Sequence, residues 1–178
     1  METRAAEPSD ADAVRRVHRA SIEGLGPAAD DPEQVEAWAG GCGSADYAAT
    51  IADGDAYVAV AERDGAVVGF GSVRLDPRPD GEPTAGADAD AEVTAVYVRP
   101  SVAREGVGTA LLADLERAAR ERGRRRLRLS SSLGAVPFYE RRGYERVGTR
   151  THEFSGRRST GVEGEVVETR TELGGQEG

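Results

Sequence analysis

Residues 91–123 constrain the fold more tightly than any other stretch of the chain. AEVTAVYV, residues 91–98, is rich in β-branched residues and reads as a strand that stops at Arg99-Pro100, since proline cannot continue a ladder. AREGVG follows as a loop with two glycines. GVGTALLADLERAARERG then has the spacing of a strongly amphipathic helix. Leu111, Leu112, Leu115, Ala118 and Ala119 form its apolar face, and Asp114, Glu116, Arg117, Arg120 and Glu121 form the other. Gly123 ends it as a helix C-terminal glycine.

A glycine loop at a helix start frees main-chain N–H groups and suits an anion. Gly106 and Gly108 allow a tight turn and a close approach to the main chain, and Thr109 can add a hydroxyl. A tight turn without a ligand would use the same glycines. A triphosphate held in a P-loop needs a lysine after its glycines. The chain has none, because all 23 of its basic residues are arginine. A dinucleotide on a Rossmann unit needs a third glycine where Leu111 stands, and the hairpin upstream does not fit that unit. The pyrophosphate of coenzyme A suits the same kind of loop.

The hairpin is DAYVAVAERDGAVVGFGSVRL, in which Asp64-Gly65 is a type I′ turn pair between two β-rich runs. Upstream, residues 2–6 read as a short strand, and PSDADAVRRVHRASI as a helix capped by Ser9 or Asp10. His18 on that helix is a surface or packing residue. PEQVEAWAG reads as a short helix opened by proline. Its Trp38 either fills the core or lines a pocket. SADYAATIAD adds a further helical turn or two. Residues 76–90 have three prolines and no apolar period, as expected of an exposed loop. RRRLRLSSS is a strand, AVPFYERRGY a short helix closed by Gly143, and two strands follow before a frayed tail at 174–178.

The order of the pieces adds specificity. Strand, proline, AREGVG, amphipathic helix, strand and AVPFYERRGY resemble, together, the GCN5-related N-acetyltransferase (GNAT) superfamily. VYVRPSVAREGVGTALL looks like its acetyl-CoA pyrophosphate motif, and AVPFYERRGYERVG like its second cofactor motif. Two positions depart from the pattern: Ala103 stands where the family has Gln or Arg, with Arg104 one place later, and Gly134 replaces a frequent asparagine.

The resemblance implies one α/β domain over residues 1–173, with a mixed, mostly antiparallel twisted sheet of six to seven strands flanked by helices on both faces. It implies acetyl-CoA as cofactor, with the pyrophosphate on main-chain N–H groups of Arg104, Glu105, Gly106, Val107, Gly108 and Thr109. The pantetheine arm would lie along Val96, Tyr97 and Val98, with a strand bulge making room. It implies direct attack of an amine on the thioester. Tyr139 would be the acid for the leaving thiolate and Glu92 the base, with Tyr97 and His152 as other substrate-side candidates. The acceptor stays open among a small amine, an amino acid or peptide, and a protein N-terminus. A GNAT-like module that holds acyl-CoA without turnover is the competing reading. A homodimer is an analogy with the superfamily only.

Composition narrows the partners. Net charge is −9 and the sequence pI is about 4.9, which argues against non-specific nucleic-acid binding. The acidic excess, with arginine in place of lysine, points to a salt-adapted or GC-rich source, and salt adaptation would make stability fall at low salt. The single cysteine, Cys42, sits among glycines and reads as a loop residue. The N-terminal residues carry no apolar signal region, and no run is long enough for a membrane span, so a cytoplasmic enzyme without a metal is expected.

Overall fold

AYVAVAER, strand β2 (Ala56–Arg63), alternates valine with alanine rather than apolar with polar residues. A strand of that kind is covered on both faces, and the computed structural model shows what covers it. It describes residues 1–25, 46–75, 91–132, 136–153 and 163–172. The expected exposed loop at 76–90, the tail at 174–178, Trp38, Cys42 and Gly134 lie outside these residues.

The strands are β1 (Glu2–Ala5), β2, β3 (Ala66–Arg74), β4 (Ala91–Val98), β5 (Arg126–Ser132), β6 (Glu145–Glu153) and β7 (Glu163–Glu172). They form one sheet in the order β1-β2-β3-β4-β5-β7-β6. Every pairing is antiparallel except that of β4 with β5. Side chains in the sheet are described essentially for β1 to β5, while β6 and β7 are followed by their backbone. The turn between β2 and β3 is the expected one. Asp64 and Gly65 both take positive φ, +52° and +79°, as a type I′ turn requires.

Helix α1 (Ala11–Leu25) and the short helix α2 (Tyr47–Ala52) cover one face. There Val14, Val17 and Tyr47 pack on Val60, Val67 and Phe70. Helix α3 (Val107–Glu121) covers the other, where Leu111, Leu112, Leu115 and Ala119 pack on Ala59, Ala61, Val73, Val93, Leu127 and Leu129. The predicted apolar face of α3 is therefore the buried one. Gly123 takes φ +74° and Arg124 N–H bonds Ala119 C=O at 2.9 Å, which closes the helix as expected. α3 also sits unusually close to the sheet. A Cβ on Gly69 would meet Leu111 and Val107 at 3.0 Å, and one on Gly71 would meet Leu115 at 2.9 Å.

The start of α1 differs from the expected cap. Pro8–Asp10 forms a turn of 3-10 helix before α1, and the Asp10 carboxylate reaches backwards to accept Glu7 N–H at 2.8 Å. Arg4 donates two further hydrogen bonds to it, at 2.8 and 3.0 Å. These bonds hold the Asp10 carboxyl below the ordinary carboxylate range, the Arg4 side chain being the main cause. Arg4 also bonds Glu62 of β2, so one guanidinium ties β1, β2 and the entry to α1.

His18 is a packing residue with a consequence for acid stability. It leaves α1 toward the sheet, with its ring centroid 4.2 Å from that of Tyr97 and 5.6 Å from that of Phe70. Its Nδ1 lies 2.7 Å from the Tyr47 hydroxyl, and its buried Nε2 has no partner among the described residues. Burial lowers its pKa from 6.5 to about 4. Between those values the unfolded chain binds a proton that the folded chain refuses. Stability is therefore expected to fall by about 3 kcal/mol as pH drops from above 6.5 to below 4. Urea midpoints across that range check this, and His18→Gln should flatten the fall. An unchanged fall in the variant would assign it to other groups.

Candidate active site

Strand β4 and helix α3 build the site between them. The register of β3 on β4 jumps from Ser72↔Ala95 to Val73↔Val93, which leaves Thr94 as a bulge. The Thr94 hydroxyl meets the hydroxyl of buried Ser72, so a polar contact pins the extra residue in place. On its other edge β4 pairs with β5 over only Ala91↔Leu127, Glu92↔Arg128 and Val93↔Leu129. Beyond Val93 the two strands separate, and Ser130–Ser132 pair with β7 alone.

The separation exposes main-chain groups of known direction. Arg99 N–H bonds Val68 C=O at 2.9 Å. Hydrogen-bonded pairs alternate along an antiparallel ladder, so Tyr97 and Ala95 also point their main chain at β3. Val96 and Val98 point theirs at the gap. Their side chains pack on the α3 side with Phe138. Tyr97 behaves differently from its two neighbours: its ring stacks with His18 and Phe70 on the α1 side. Of the three, only Val96 and Val98 offer free main-chain hydrogen bonds to a ligand in the gap.

At the end of β4, Pro100–Val102 forms a turn of 3-10 helix and Ala103 is extended. Two left-handed residues follow, Arg104 at φ +65° and Gly106 at φ +88°. They reverse the chain into α3, and the second needs glycine for its conformation. The first α3 bond is Ala110 N–H to Gly106 C=O at 3.0 Å. Val107, Gly108 and Thr109 N–H groups thus have no acceptor within the helix. The N-cap residue, Gly106, has no side chain with which to cap them. Glu105 is not part of this set, because its N–H bonds Val102 C=O at 3.4 Å and its carboxylate pairs with Arg63 at 3.4 Å. The Val107 side chain is in the core and only its N–H faces the turn.

Gly108 marks where a ligand would lie. A Cβ there would stand 3.5 Å from Phe138 and 3.6 Å from Val98, ordinary contact distances. Packing among the described residues does not demand glycine here, so a space the size of a methyl group stays open beside three N–H groups that have no acceptor within the helix. That set of donors fits a pyrophosphate.

Tyr139 lies on helix α4 (Val136–Glu140), buried in the α3-side core between Phe138 and Tyr144, with ring centroids 5.0 and 5.7 Å away. Burial pushes its pKa well above that of a free phenol. The match with a thiolate assumed from the sequence is thus looser than expected, and the group stays a protonated hydrogen-bond donor at neutral pH. Glu92 occupies the last stretch of β4 that is paired with β5. Ala91 and Val93 on either side of it belong to the α3-side core, so Glu92 points to the opposite face. Arg128 of β5 pairs with it at 3.4 Å. Glu92 and Tyr139 therefore sit on opposite faces of the sheet, with the β4–β5 gap between them. His152 lies on β6, and its side chain is outside the described residues.

A family description, the acetyltransferase (GNAT) domain, matches residues 28–163. The chain belongs to the GNAT acetyltransferase family. Its fold is similar to that of a GCN5-related N-acetyltransferase from Rhodopseudomonas palustris, with a TM-score of 0.75 and 28% identity over 97% of this chain and 95% of that one. It is also similar to the PaiA N-acetyltransferase of Thermoplasma acidophilum, solved in complex with coenzyme A. There the TM-score is 0.69 at 18% identity, over 96% and 98% of the two chains. Among curated proteins, a glucosamine 6-phosphate N-acetyltransferase of Trypanosoma brucei brucei is 35% identical over 89 residues. That match covers 50% of this chain, which spans about half, 54%, of the relative's length. No helix among the described residues is long and apolar enough to cross a membrane.

Two features of this candidate site escaped the sequence reading. His18 backs Tyr97 from α1, which spacing along one helix cannot reveal. Arg142, beyond α4, reaches Thr109 at the start of α3, a contact between segments 33 residues apart.

Proposed function

We propose that the chain is an acetyl-CoA-dependent N-acetyltransferase that acetylates a primary amine of a small molecule or peptide by direct attack in a ternary complex. The observation that carries this reading is the uncapped start of α3 beside the β4–β5 gap. Main-chain amides of Val107, Gly108 and Thr109 would hold the pyrophosphate, and Val96 and Val98 the amide-bearing arm. Bound there, acetyl-CoA supplies an activated thioester.

The protein's own groups divide the remaining work by face. Tyr139, kept protonated by burial, donates its hydroxyl hydrogen toward the leaving sulfur from the α3 side. Glu92 accepts the amine's proton from the other face, directly or through water, while Arg128 fixes its carboxylate. One main-chain N–H of β4 facing the gap would polarise the carbonyl as negative charge builds on its oxygen.

The resemblance to a glucosamine 6-phosphate acetyltransferase adds amino sugar phosphates to the acceptor panel. Calorimetry with acetyl-CoA, paired with thiol release over that panel, tests the proposal. Release of one thiol per acetylated amine supports it. The Glu92–Arg128 pair favours a second reading, a module that holds acyl-CoA without turnover, because the base is already engaged. Binding without thiol release from any amine would support that one.

Tyr139→Phe is expected to lower kcat by about tenfold or more while acetyl-CoA affinity changes little. Steady-state kinetics beside calorimetry check this. An unchanged kcat would remove Tyr139 from the acid role.

A further inference from the structure

We propose that Arg142 is a specificity residue for the cofactor: it binds the 3′-phosphate that distinguishes coenzyme A from its dephosphorylated form. The inference rests on the reading of the site as a coenzyme A site.

Arg142 follows α4 in the turn closed by Gly143, whose φ is +90°. Its side chain folds back over the ring of Phe138, with Cζ 5.9 Å from the centroid. It ends as a hydrogen-bond donor to the Thr109 hydroxyl, on the third residue of α3. Phe138 is also the residue nearest the open space at Gly108. The guanidinium is thus held at the rim of the amide cradle.

The side chain brings a second positive group to the start of α3. A helix N-terminus carries partial positive charge and repels a cation. Arg142 pairs with a hydroxyl and with no carboxylate of a described residue. Its neighbour Arg141 turns away to its own Pro137 carbonyl. A guanidinium beside the N–H groups of a helix start makes a place suited to an anionic ligand. The amides of residues 107–109 suit the pyrophosphate. A terminal phosphate monoester carries more charge on one group and suits the planar fork of a guanidinium.

Calorimetry with coenzyme A and 3′-dephospho-coenzyme A, on the wild type and on Arg142→Gln, tests the assignment. The wild type should bind coenzyme A about tenfold or more tightly than the dephosphorylated form, the loss expected for one charge-assisted hydrogen bond. Arg142→Gln should erase that preference and bind 3′-dephospho-coenzyme A within about twofold of the wild type. Circular dichroism should show the same melting for both proteins, since Arg142 is exposed. Equal weakening of both ligands would place the charge on the pyrophosphate and overturn the proposal. A wild type that binds both forms equally would overturn it too, with the cofactor reading intact. A wild type that binds neither would overturn both.

Discussion

Gly108→Ala is expected to bind acetyl-CoA at least about tenfold more weakly than the wild type, because losing even one charge-assisted hydrogen bond costs about 1.5–3 kcal/mol. The same variant should melt at an equal or higher temperature. The two effects have opposite signs for a physical reason. In the folded chain the new methyl group meets Phe138 and Val98 at ordinary contact distance, 3.5 and 3.6 Å, so it fits. Alanine also restricts the unfolded chain and favours helix, which stabilises by about 0.4–1 kcal/mol. The methyl group nevertheless fills the space through which an anion would reach the free N–H groups of α3. Calorimetry and thermal melting on one preparation separate the two. If Gly108→Ala binds acetyl-CoA as tightly as the wild type, the cradle at residues 107–109 is not the pyrophosphate site.

Gly71→Val is expected to destabilise the fold by about 3 kcal/mol, at the upper end for overpacking a close-fitted core. Gly71 lies where α3 rests on β3. A Cβ would stand 2.9 Å from Leu115 Cδ1 and 3.1 Å from the Ala95 carbonyl oxygen. Leu115 is fully buried, and the carbonyl belongs to the backbone of β4, so neither yields cheaply. The denaturant midpoint should drop with the slope unchanged. Leu115→Ala creates room on the facing side, so the double variant should lose less than the sum of the two single losses. Strict additivity would mean that the two positions do not press on one another. A second consequence reaches the site: α3 pushed off the sheet would move Gly108 and Thr109 relative to Val98, and cofactor affinity should fall with stability.

Most elements were legible because each has a local physical cause. Asp64-Gly65 can only be the turn of a hairpin with matched twist. The leucines of α3 repeat at helical spacing, and Gly123 supplies the left-handed residue that ends the helix. The turn into α3 was legible for the same reason: Gly106 takes the positive φ that a tight turn at its place needs. The places where packing added to or changed the sequence reading have causes too. Ser9 or Asp10 was read as a cap for the helix ahead of it, but Arg4, six residues before Asp10, draws the Asp10 carboxylate toward β1. Tyr97 was placed both along the cofactor arm with Val96 and Val98 and among the substrate-side candidates. A strand sends alternate residues to opposite faces, and Tyr97 went to the face of His18.

By itself the sequence determined the kinds and order of the described elements, and the turn chemistry of the stretch that would meet a pyrophosphate. These follow from residue spacing and from the conformational limits of glycine and proline, which act within a few residues. Only the tertiary structure decided where β4 and β5 part, which leaves Val96 and Val98 facing a gap. It alone set Glu92 and Tyr139 on opposite faces, paired Glu92 with Arg128, buried Tyr139, and brought Arg142 to Thr109. Each of these depends on contacts between segments far apart in the chain, and such contacts come from how whole faces pack, which local spacing does not encode.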